Sequence, residues 1–168
     1  SPKWWPSRYS IAVLSTRNLC AALGIVLVLI YAIGSGAWVN TGDGWYQSLN
    51  SPRWQPPDWV FGVIWPYNFI VLGVVSVQLS RRLSLTTNFW FLLCFLFSVI
   101  AALTWAYQFY RPHELVIASI ALSLVAIFTA PMLYLAFRTG WQWGLLLLPY
   151  QIWVALAANL SWAYSRLN

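Results

Sequence analysis

Five stretches of this chain, near residues 19–39, 59–79, 88–109, 114–137 and 143–164, run for about 20 residues each with almost no charge. The hydrocarbon core of a bilayer is about 30 Å thick and a helix rises about 1.5 Å per residue, so each stretch is long enough for one crossing. In hydrocarbon every backbone N–H and C=O must be satisfied within the protein, which leaves helices or closed barrels. The stretches are too long, and too uniformly apolar, for barrel strands of alternating polarity. The sequence therefore predicts an all-α, multi-pass integral membrane protein, a bundle of five transmembrane helices forming one domain over residues 1–168.

Composition agrees. The chain is 61% hydrophobic and 7% charged, against roughly 25% charged in an ordinary soluble domain. Outside the five stretches lie a short basic head, Ser1 to Asn18, one longer loop over 40–58, and tight connections around Arg81, Arg111 and Arg138. None has room for a catalytic domain. The first stretch lacks the cleavage pattern of a signal peptide and reads as a retained span. The nine Lys and Arg are scattered at helix ends rather than gathered on one face, so nucleic acid is not an expected partner and membrane lipid is. Five crossings place Lys3, Arg8, Arg17, Arg81, Arg82 and Arg138 on one side and Arg53, Arg111 and Arg166 on the other. By the positive-inside rule the N-terminus is expected in the cytoplasm and the 40–58 loop outside.

Short connections at 80–87 and 110–113 force neighbouring spans to run antiparallel. Small residues recur every fourth position at Ser98, Ala102 and Ala106, and at Ala32 and Gly36. Such a face suits close helix packing, either in a homodimer or within the chain. Pro131 and Pro149 interrupt the hydrogen-bond ladders of the last two spans. Cys20 and Cys94 lie in different apolar spans and read as packing residues.

Trp38, Trp45, Tyr46, Trp90, Tyr110, Trp141, Trp143 and Tyr164 fall where aromatic belts meet the membrane surfaces. Trp65, Phe69, Trp105 and Trp153 lie deeper, with the uncharged polar residues Asn68, Thr104, Gln151 and Asn159. Polar groups in lipid need a partner, so these four are expected to face inward. An aromatic-lined internal pocket with a few polar handles suits a flat, apolar, polycyclic ligand. No charge lies mid-span, which argues against a pump. His113 reads as a solvated turn residue. There is no nucleophile, base and orienter set, so no catalytic residue is assigned, and no metal ligand or required cofactor either.

The most specific segment is Trp45-Tyr46-Gln47-Ser48-Leu49-Asn50-Ser51-Pro52-Arg53-Trp54-Gln55-Pro56-Pro57-Asp58-Trp59-Val60-Phe61-Gly62-Val63-Ile64-Trp65. Its prolines stiffen an extended approach, Asp58 is placed to cap the next helix, and Trp59 to anchor it at the interface. The segment resembles the signature of the translocator protein and tryptophan-rich sensory protein family (TspO/MBR), W-Y-x-x-L-x-x-P-x-W-x-P-P-x-W-V-F-G-P-V-W. Leu148-Pro149-Tyr150-Gln151-Ile152-Trp153-Val154 followed by Ala157 resembles the family's L-P-Y-x-x-W-V-x-x-A segment.

The resemblance implies a five-helix bundle, often a homodimer, with a cavity beneath the first loop for porphyrins, haem-like tetrapyrroles, sterols or benzodiazepine-type ligands. Carried over residue by residue, it points to Trp65, Phe69, Trp105, Trp153 and Ala157 as ligand-binding residues and to Trp54 as a lid. Leu160, Tyr164 and Arg166 match a loose cholesterol-recognition spacing. Some relatives are reported to degrade porphyrin in light, and Trp65 and Trp153 would be the electron donors here. Three departures stand out: Ala102 and Ser161 where the family has Asn, and Val63 where it has Pro, which is expected to let the second span run straighter. The first expectation is a membrane binding protein for tetrapyrroles or other flat apolar ligands, serving sensing, trafficking or disposal. The second is a structural or assembly subunit of a larger photosynthetic or respiratory membrane complex.

Overall fold

The computed structural model describes residues 4–168, so Lys3 lies outside the described residues. Its elements are α1 (Arg8–Trp38), α2 (Trp45–Ser48), α3 (Asp58–Arg82), α4 (Leu85–Tyr110), α5 (Leu115–Thr139) and α6 (Trp141–Leu167). All but the one-turn α2 are long and apolar enough to cross a membrane. The described chain is an all-α bundle, as the sequence predicts.

The head expected over Ser1 to Asn18 is instead helical from Arg8. Nothing between Arg8 and Asn18 breaks a helix, and the Ser7 hydroxyl accepts the Ser10 N–H at 3.1 Å, a side-chain cap that starts the helix. Hydropathy marks only the part of a helix that lipid surrounds, and α1, with 31 residues, outruns it. Asp58 does not cap α3: Pro57 holds the cap position without a side-chain bond, and Asp58 is the first helical residue. There its carboxylate still opposes the positive end of the helix dipole. Pro66, which the sequence reading passed over, lies inside α3 and deprives that helix of one backbone donor, so the replacement of Pro by Val63 does not leave α3 free of proline.

Side by side the five long helices form a ring in the order α1, α3, α6, α5, α4. The connection through α2 and the tight turns make α1, α4 and α6 run one way and α3 and α5 the other. Backbones approach closely at glycines. A methyl group on Gly24 of α1 would lie 2.8 Å from the Ser76 Cβ of α3, and Gly144 of α6 leaves room for the Phe137 ring of α5, which would lie 2.2 Å from a methyl group there. Ser98, Ala102 and Ala106 are all buried within this single chain.

The densest part of the core occupies one half of the bundle, where Leu72, Leu79, Phe91, Phe95, Val125, Met132 and Leu147 are sealed from solvent. That half ends in Arg8, Arg17, Arg81, Arg82 and Arg138, with no acidic residue beside them. Arg17 Nη1 donates to the carbonyls of Ser80 at 3.0 Å and Leu83 at 2.5 Å, and Asn88 Nδ2 donates to the same two, each at 3.2 Å. The last carbonyls of α3, which have no partner within their own helix, are thereby satisfied. The opposite end balances Arg53, Arg111 and Arg166 against Asp43, Asp58 and Glu114.

Candidate functional site

At this charge-balanced end the helices stand apart around a cavity of about 580 Å3. Helical periodicity builds its walls. Phe61, Trp65 and Phe69 follow one another at four-residue spacing on α3, and Trp153, Ala157, Leu160, Ser161 and Tyr164 line one face of α6, as side chains three, four and seven apart share a helix face. Trp105, Phe109 and Tyr110 close the side formed by α4, and Ala32, Ser35 and Gly36 that formed by α1.

The aromatic rings brace one another. Trp65 and Phe69 lie 5.7 Å apart between centroids, and Phe61 meets Trp153 edge-on at 5.1 Å, within the range of favourable aromatic pairs. Beneath them Tyr31 sits edge-on to Phe69 at 5.1 Å, and the Tyr150 hydroxyl donates to that of Tyr31 at 3.0 Å. The indole Nε1 atoms of Trp105 and Trp153 are buried without a hydrogen-bond partner among the described residues. An unpaired buried donor costs about 1–3 kcal/mol.

The 40–58 loop forms the roof. Tyr164 donates its hydroxyl proton to Gln55 Oε1, and Gln55 Nε2 donates to the Tyr46 hydroxyl at 3.4 Å. Tyr46, Gln47, Leu49, Ser51 and Gln55 all face the cavity, and Asp58 stands at its rim. On its outer side the loop rests on the turn between α4 and α5, where the Trp45 ring stacks on His113 at 3.6 Å and 4°. His113 adopts φ 60 there.

The structure thus brings together Trp65, Phe69, Trp105, Trp153 and Ala157 of the sequence-derived set, while Trp54 is half-exposed and does not border the cavity. Three belt residues, Tyr46, Tyr110 and Tyr164, face the cavity as well; their position near the membrane surface is also the level of the cavity mouth, and depth alone does not separate the two. Gln55 went unremarked although it sits within the Trp54-Gln55-Pro56-Pro57 segment, where a polar residue among rigid ones was the available signal.

Of the four deep polar residues, Asn68 is buried and Gln151 Nε2 reaches across to the Ala126 carbonyl at 3.1 Å. Asn159 is corrected: it is exposed on the outer face of α6 and donates to the Ala155 carbonyl at 2.9 Å. Thr104, partly buried, spends its hydroxyl on the Ile100 carbonyl at 2.8 Å. Both find partners in their own helix, so the cost of a polar group in lipid does not force them inward. Ser161, the replacement for Asn, shares a 2.8 Å hydrogen bond with Ser119.

The model of the TspO/MBR family matches residues 21–167. The chain is 32% identical to the tryptophan-rich protein TspO of Bacillus cereus, over 74% of this chain and 80% of that protein. It is 28% identical to the tryptophan-rich sensory protein of Cereibacter sphaeroides, over 84% and 91%. It is also 27% identical to the translocator protein of Homo sapiens, over 88% and 89%.

Proposed function

Because the chain belongs to the TspO/MBR family, we propose that it is a membrane-embedded binding protein for a flat apolar ligand, a porphyrin or haem-like tetrapyrrole or a sterol, in sensing, trafficking or disposal. The observation that carries this reading is the cavity itself. Its volume falls within the roughly 300–1,000 Å3 of small-molecule sites, and its walls are largely aromatic side chains. Broad rings give a planar ligand contact area at little cost in side-chain entropy. The Tyr46, Gln55 and Tyr164 group supplies polar contacts at the mouth for carboxylate or hydroxyl substituents, which leaves the apolar ring system inside.

By the positive-inside rule the arginine-rich end belongs in the cytoplasm, and the cavity then opens on the opposite face. The functional test is quenching of tryptophan fluorescence in detergent-purified protein titrated with protoporphyrin IX, beside a Trp65→Phe, Trp153→Phe double variant. Saturable quenching at micromolar ligand or below, weakened in the variant, is the expected result. Absence of saturation, or equal quenching of both proteins, overturns the ligand-binding reading and favours a structural subunit of a larger membrane complex.

A further inference from the structure

A second cleft, of about 450 Å3, opens at the other end of the bundle, between the last turns of α3 and α5 and the first turn of α4. Arg82 and Arg138 line it, together with Thr87, Tyr134 and Leu135. An arginine in the last turn of a helix is commonly a solvated partner of the helix dipole. Three observations together point to an anion at this pair. First, neither guanidinium has a carboxylate partner among the described residues, and the acidic residues of the chain all stand at the opposite end. Second, Arg82 is held in place: its Nη1 donates to the Gln78 carbonyl at 3.1 Å and to Gln78 Oε1, and its guanidinium lies 5.3 Å from the centre of the Trp143 ring. A guanidinium restrained by its own helix and by an aromatic face loses less side-chain freedom when it binds a further group. Third, the cleft is two-sided in chemistry. Next to the arginines, the 61% exposed Tyr134 turns toward the surroundings of the helix, which for a membrane-spanning α5 is lipid, while Leu135 packs inward against the core.

We propose that this cleft binds the phosphate of an anionic membrane phospholipid, with Arg82 and Arg138 contacting the phosphate oxygens and the acyl chains lying along the exposed face of α5. Paired guanidiniums match phosphate geometry, and charge-assisted hydrogen bonds of this kind are about twice as strong as neutral ones. Basic clefts between spans at a membrane surface are suited to lipid headgroups. A free phosphate would satisfy the arginines equally well but would leave the exposed Tyr134 without a role. The inference is independent of the ligand cavity, which lies at the opposite end.

The test is native mass spectrometry of the full chain released from mild detergent after equilibration with phosphatidylglycerol or phosphatidylcholine. Retention of one phosphatidylglycerol in preference to phosphatidylcholine is expected, falling on the order of tenfold in R82Q/R138Q and within about twofold of the parent in R81Q, since Arg81 lies outside the cleft. Arg138→Gln alone, which removes no hydrogen bond within the described chain, serves as the variant if the double substitution loses its helical circular dichroism. Equal retention of the two lipids overturns the site, as does equal loss in R81Q, which would indicate diffuse surface charge. Displacement of the lipid by millimolar inorganic phosphate overturns the lipid assignment in favour of a soluble anion.

Discussion

Asn168 holds Asn50 by both of its backbone groups: the Asn50 N–H donates to Asn168 Oδ1 at 2.9 Å, and Asn168 Nδ2 donates to the Asn50 carbonyl at 3.0 Å. The Asn50 side chain returns a bond to the Leu167 carbonyl at 3.3 Å. The end of α6 is thereby fastened to the middle of the loop that roofs the cavity. These bonds are exposed, so each contributes at most about 1 kcal/mol. Asn168→Ala should raise amide hydrogen exchange over residues 45–55 several-fold and speed ligand dissociation, with little change in melting temperature. Unchanged exchange in the loop would show that the Tyr164, Gln55 and Tyr46 bonds hold it alone.

Ala157 faces open space in the cavity, whereas Ala106 is sealed within the helix packing. The same kind of enlargement should therefore have opposite effects. Ala157→Phe is expected to fill the site and lower ligand affinity more than tenfold, and to shift the melting temperature by no more than about 2 °C. Ala106→Leu should destabilise the fold by about 1–3 kcal/mol through overpacking. A thermal melt and a titration on each variant measure both halves. A stable Ala106→Leu protein with altered oligomeric state would instead place that face between subunits.

Gly24 has Ser76 so near that the smallest side chain cannot be added without displacing α1 from α3. Gly24→Ala should cost about 1–3 kcal/mol, and Ser76→Gly should recover part of it in the double variant. Unfolding in denaturing detergent reads the difference, and a Gly24→Ala protein as stable as the parent would mean that α1 shifts freely.

Arg17 and Asn88 donate to the same pair of carbonyls at the end of α3. Either one alone still leaves both acceptors a donor. Removing both leaves them bare, so the double variant Arg17→Ala, Asn88→Ala should lose more stability than the two single variants together, by about 0.5–1 kcal/mol or more. Simple additivity would show that water replaces the missing donors.

The five crossings were legible because hydrocarbon imposes one length and one polarity on every span, and much of the cavity wall because Trp65, Phe69, Trp105 and Trp153 are aromatic residues deep in their spans and Trp65, Trp153 and Ala157 stand in recognisable segments. The roof was not. Tyr46 and Tyr164 meet through Gln55 across more than a hundred residues of sequence, a contact with no periodicity to reveal it. Asn159 misled because an amide in a span has two outlets, a neighbouring helix or its own preceding turn, and sequence does not say which it takes. Helix ends were misjudged at Arg8 for a related reason: hydrophobicity stops at the membrane surface, while backbone hydrogen bonding continues until something interrupts it.

The buried Tyr31 and Tyr150 pair, with the phenylalanine and leucine core behind it, makes the cavity a cul-de-sac. A molecule admitted under the loop meets that floor and must return by the side it came from. Any passage to the far leaflet would require α1 and α6 to part and their two hydroxyls to exchange partners. In this conformation the cavity opens at the loop end of the bundle and is closed toward the arginine-rich end.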